Sequence, residues 1–131
     1  MTQRTMALLL AGGLLASGCR GDVVPNGAWG GDHVVLTVGD NGGRVEFDCA
    51  HGSLDHPLQI DDRGRFSVAG TFVLEHGGPV AADEVLPVHT ARYQGTLDRQ
   101  KVEFTVTIEG QTGQGPFTVT LAKAPKLEKC V

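Results

Sequence analysis

The chain has 131 residues, of which 40% are hydrophobic and 5% aromatic, and it carries a formal charge of −4 at pH 7. That length suits one compact domain, and a mild, well-mixed acidity lacks the basic stripe that a nucleic-acid surface needs. Nineteen glycines and six prolines punctuate runs of Val, Thr and Phe, which argues against a helical bundle.

At the N-terminus, Arg4 precedes an uncharged, mostly apolar run from Met6 to Leu15. This is too short to span a ~30 Å bilayer core as a helix, which takes about twenty residues. It suits the apolar region of a secretory signal, with the small residues Ala16, Ser17 and Gly18 following. Cys19 comes next, and the stretch resembles the lipobox of bacterial lipoprotein precursors, in which the cysteine becomes the lipid-modified first residue. The resemblance covers residues 1–19 and departs at Ala16, where that family usually has Leu. It implies a signal peptide over 1–18 and a lipidated Cys19 that anchors the protein to membrane lipid on the extracytoplasmic side of a bacterial envelope. An ordinary secretory signal, cut near Ala16 or Gly18, is the competing reading and leaves Cys19 a plain thiol. Residues 19–28 then form a lipidated N-terminus and short linker, and 29–131 the domain.

Further along, Gly27-Ala28-Trp29 is similar to the Gly-x-Trp opening of lipocalin-like and avidin-like barrels, which implies a Trp packed across one end of a barrel. Strands then follow by alternation. Val34, Leu36 and Val38 make one half-buried face, and Val45, Phe47 and Cys49 oppose Arg44, Glu46 and Asp48. A weaker strand covers Leu58 to Asp61. Phe66, Val68, Gly70, Phe72 and Leu74 share one face of a long strand, with Gly70 marking a bend or bulge. Ala91, Tyr93, Gly95 and Leu97 form the next face, and Val102, Phe104, Val106 and Ile108 another. Phe117, Val119 and Leu121 alternate with threonines, and a last weak strand covers Leu127 to Cys130. Turn signals stand at 40–42, 61–64, 98–100 and 110–113. The pattern predicts an all-β domain: a single small antiparallel up-and-down meander of about seven or eight strands, closed or nearly closed into a barrel so that no edge is exposed.

Three cysteines leave one unpaired in an exported protein. With Cys19 lipidated, Cys49 and Cys130 remain and are expected to form a disulfide, as cysteines outside the cytosol do. A zinc site built from two cysteines so far apart is a poor alternative.

In such a meander the connections alternate between the two ends of the barrel. If the end where Val34 lies is the lower end, the turns at 39–43, 61–64 and 98–100 fall at the upper end. The connections 50–57, 76–89 and 109–115 fall at the lower. His33, His51, His56, His76 and His89 are then expected to share the lower end, together with Cys49 and Cys130. Imidazole is a common ligand for zinc and copper. His51-Gly52 and His76-Gly77-Gly78 set it beside flexible backbone, and Asp48 and Glu75 could add carboxylates. His51 and His76 are the candidate metal ligands, yet neither a His-x-x-x-His nor a His-x-Glu spacing occurs. The competing reading makes the histidines polar rim residues bonded to loop carbonyls, with no cofactor expected. His51, Glu75, His76 and His89 form the candidate binding rim. Ser53 and Ser67 have no nucleophile context, so no catalytic residue is assigned.

The tether from Cys19 to Trp29 reaches at most ~35 Å and is expected to hold the lower end near the membrane. The function expected from these features is that of a lipid-anchored envelope barrel, a non-enzymatic binding or interaction module for a small ligand or an envelope protein. A metal-binding protein using the lower-end histidines is one alternative. Bacterial lipoproteins that inhibit lysozyme or proteases are similar in size and address, which implies a second: a proteinaceous hydrolase inhibitor presenting a loop such as 76–89. Phe47, Phe66, Phe72, Phe104, Phe117 and Tyr93 suffice to fill a narrow interior.

Overall fold

A computed structural model describes residues 22–130; the signal segment and Cys19, with its expected lipidation, lie outside the described residues. Among the described residues there are eight strands and no helix: β1 Gly27–Gly31, β2 Val34–Gly39, β3 Gly42–Phe47, β4 Ala50–Leu54, β5 Arg65–Leu74, β6 His89–Asp98, β7 Lys101–Ile108 and β8 Gln114–Leu121. Each pairs antiparallel with its sequence neighbour, and β1 also pairs with β8 through Trp29 opposite Leu121, so the meander closes into a barrel. The fold class is the expected one.

Two strands stand where others were expected. Leu58–Asp61 forms no ladder: Gln59 makes one isolated bridge with Val23, and Leu58 is buried. The ascending strand at that point of the meander is β4, which turns Ala50, Gly52 and Leu54 inward between β3 and β5. Residues 127–130 form no strand either, only a single parallel bridge joining Lys126 to Asp32 nearby. The descending strand that closes the barrel is β1. Each replacement runs in the direction of the strand it replaces, so the alternation of ends is kept.

β1 is poor in β-forming residues because another piece of chain lies on it. A Cβ on Gly30 would overlap the carbonyl oxygen of Lys123, in the tail that follows β8. Only glycine lets the two backbones approach so closely. The tail then returns down the outside of the barrel, where the Lys126 N–H donates to the Gly31 carbonyl at 3.1 Å.

An eight-stranded barrel is just wide enough for side chains to fill, and this one is filled. Phe72, Phe47, Phe117, Phe104 and Tyr93 form a continuous run of tilted rings with centroids 5.9, 4.8, 5.5 and 6.4 Å apart, within the range where aromatic pairs attract. Trp29 is fully buried, and its indole N–H donates to the Pro25 carbonyl at 3.0 Å. Tyr93 is equally buried. Its hydroxyl donates to the Thr71 carbonyl at 2.7 Å, and burial, with the charge of Asp55 adding, pushes the phenol well above its ordinary pKa.

Val24 and Leu58 complete the core at the upper end, and the Val24 N–H donates to the Leu58 carbonyl at 2.9 Å. The Ile60 N–H donates likewise to the Asp22 carbonyl. Part of the segment expected as a linker is thus packed on the fold. Because β1 descends, the chain arrives at the upper end, not at the lower end where the tether was expected.

Candidate functional site

The lower end collects the turns Asp32-His33 and Asp48-Cys49, the long connection 75–88, the turn 109–113 and the end of the tail. Four of the five histidines lie there. His56 does not: β4 carries the chain upward, so the connection 55–64 and its histidine belong to the upper end, where a Cβ on Gly42 would lie 3.3 Å from the His56 backbone nitrogen. The expected clustering of all five fails for that one reason.

Cys49 and Cys130 form a disulfide with Cα atoms 5.2 Å apart. It pins the tail beside the β3–β4 turn, and Asp48 completes the clamp. Its carboxylate accepts from the Glu128 N–H at 2.8 Å and from His33 Nδ1 at 2.6 Å, and its carbonyl accepts from the Cys130 N–H at 3.1 Å. The Glu128 N–H, with the His33 hydrogen bond and the His33 and Lys129 charges behind it, holds the Asp48 carboxyl below its ordinary value despite a cost from burial.

A second cluster joins three elements. His51 Nδ1 on β4 lies 2.8 Å from Glu75 Oε2, just after β5, and Lys129 Nζ from the tail reaches Glu75 Oε1 at 2.9 Å and the Phe47 carbonyl at 2.9 Å. Burial raises the Glu75 carboxyl, but the His51 and Lys129 hydrogen bonds together with the Lys129 charge outweigh it, and the net shift is downward. A third pair lies inside the long connection. His76 Nε2 is 2.5 Å from Glu84 Oε1 and its Nδ1 is 2.9 Å from the Gly77 carbonyl oxygen. Both ring nitrogens therefore face acceptors, which only the doubly protonated ring can satisfy. The Gly77 carbonyl first, then Glu84, accordingly raise the His76 pKa.

Among the described residues, no group of three or more His, Cys, Asp or Glu side chains is placed to hold a metal ion. His51 and His76, the candidate ligands, each engage a carboxylate of their own, and His89 opens β6 opposite Phe72, apart from these pairs. The partners also differ from the loop carbonyls expected: three histidines meet carboxylates, and only His76 adds a carbonyl. Lys129 and Glu84 were not singled out from sequence. Lys129 could have been found, because it precedes a cysteine expected to pair with the neighbour of Asp48; Glu84 carried no such signal.

Two further features mark this end. A hollow of about 250 Å³ opens at the mouth, floored by Phe47, Phe72 and Phe117, walled by Ala50 and Leu74, and bordered by the His33–Asp48 pair. Among the described residues, four of the five large apolar side chains left exposed are also here, or in the connection that starts here: Leu74, Val80, Val85 and Val88. No known protein family matches the chain, and neither curated proteins nor solved structures show significant similarity to it.

Proposed function

We propose that the protein is a lipid-anchored barrel of a bacterial envelope, a non-enzymatic interaction module that uses its lower end to bind another envelope component. The observation that carries this reading is the concentration of exposed apolar side chains in one connection, with Val85 89% exposed. Isolated exposed valines mean little, but apolar groups gathered on one loop of a small exported domain suggest a contact surface. A packed interior favours a surface contact over a ligand held within the barrel.

A narrower form of the reading, a loop-presenting hydrolase inhibitor, draws on the way the connection is held. The Glu75 N–H donates to the Cys49 carbonyl at 2.9 Å, and the Ala81 N–H and His76 both bond to Glu84. Such restraint lowers the ordering cost of binding.

Native mass spectrometry of the protein extracted from its own membrane tests the proposal. The expected mass is that of the chain from Cys19 with attached lipid, together with a second polypeptide. A chain carrying a metal ion or small ligand and no polypeptide would favour the alternatives. Cys19→Ser is expected to move the protein to the soluble fraction, since several acyl chains are what hold such a protein stably.

A further inference from the structure

We infer that the hollow at the lower mouth is a docking site for a protein segment that presents one apolar side chain flanked by basic residues. The inference deepens the reading above and rests on it for the location of the partner. The hollow measures about 250 Å³, below the roughly 300–1,000 Å³ of most small-molecule sites, and fits a single leucine- or phenylalanine-sized group. Its floor is three aromatic rings already packed against one another, Phe72, Phe47 and Phe117, so it is formed before anything binds. Leu74 lines the wall and is 52% exposed, whereas Phe72, two residues earlier on the same strand, is 2% exposed. A partner side chain would complete the burial of Leu74, which is how a binding hot spot is built.

Charge selects what flanks that side chain. Over the turns and connections of the lower end, acidic residues outnumber lysines by seven to two, with Asp48 on the rim of the hollow itself. A complementary surface is basic. The same acidity disfavours a second copy of the chain, which would bring two like-charged rims together. It also disfavours an anionic lipid surface, and the described chain begins at the opposite end, where Asp22 bonds to Ile60.

The test is an NMR titration of the full exported chain, disulfide intact, with three synthetic pentapeptides. One has a central leucine between paired lysines, one replaces the leucine with serine, and one replaces the lysines with glutamates. The lysine–leucine peptide is expected to shift the resonances of Phe72, Leu74 and Phe117 and to bind about tenfold more tightly than either control. Leu74→Ser, at a half-exposed position that leaves the fold intact, is expected to remove that difference. Equal binding of the three peptides, no shifts at the hollow, or an unchanged preference in Leu74→Ser would overturn the inference. So would shifts at the hollow produced instead by vesicles containing anionic phospholipid, or by raising the protein concentration alone. These outcomes do not depend on Cys19 or on the mass of the native complex, so they stand apart from the test of the function itself.

Discussion

Tyr93, on β6, constrains glycines on the two strands that precede its own, β4 and β5. A Cβ on Gly52 would overlap both its hydroxyl oxygen and the Thr71 carbonyl to which that hydroxyl donates, and a Cβ on Gly70 would come within 3.1 Å of its ring. Gly52→Ala is therefore expected to lower stability by about 1–3 kcal/mol through overpacking. Urea denaturation would show it as a lower midpoint at unchanged slope. An unaltered midpoint would mean that the ring has room to move. At the rim, His76 makes a different prediction. Its folded pKa is raised above the ordinary 6.5, so the stability its pair with Glu84 contributes is full below that value and is lost as pH rises through the folded one. On the acid side the contribution disappears as Glu84 protonates, below its ordinary range because His76 holds that carboxyl down. Glu84→Gln is expected to lower the titration midpoint of the His76 ring resonances; an unchanged midpoint would show that the pair does not form.

Among the elements, the long amphipathic strands were legible because alternation over eight or ten residues, as in β5, β6 and β7, has only one structural solution. The short ones were not. β1 and β4 carry glycine and alanine at inward positions, since neighbouring backbone or Tyr93 occupies the space a side chain would need. Their turns, Asp32-His33 and Asp48-Cys49, also lack the Asn-Gly or Asp-Gly pair that marks a hairpin in sequence. Leu58 misled in the opposite sense, because an apolar residue that plugs a barrel end looks in sequence like part of a strand. The candidate site was legible to the extent that parity set the ends, and His56 was lost with the missed β4. The tail is the element least able to hold itself in place: 122–130 forms no ladder, is joined to β1 and its turn only through Ala122 and Lys126, and beyond Lys126 depends on Asp48, Lys129 and the disulfide. The disulfide spans 81 residues, and Cys130→Ala is expected to lower stability by about 2–4 kcal/mol, since a closure of that length constrains the unfolded chain strongly. Denaturation with and without reductant would check it: the reduced wild type should match Cys130→Ala, and equal stability of oxidised and reduced protein would contradict the assignment.

For the whole molecule, the two ends of the barrel are built differently. The upper end is closed by Val24 and Leu58 and receives the chain from the direction of Cys19. The lower end has an open apolar mouth, the disulfide clamp and the connection with exposed Val80, Val85 and Val88. A lipid on Cys19, three residues before Asp22, could lie no more than about 10 Å of extended chain from the upper end. With Cys19 lipidated, the upper end would face the membrane and the lower end away from it, the reverse of the orientation expected when the tether from Cys19 to Trp29 is read as leading to the lower end. The most direct measurement places a photoreactive residue at Val85 or at Arg99 in the full chain, in living cells of the protein's own host. The probe at Val85 is expected to cross-link to another protein, while the probe at Arg99, at the upper end, reaches lipid or nothing. Protein cross-links from Arg99 with lipid from Val85, or the same products from both, would contradict it.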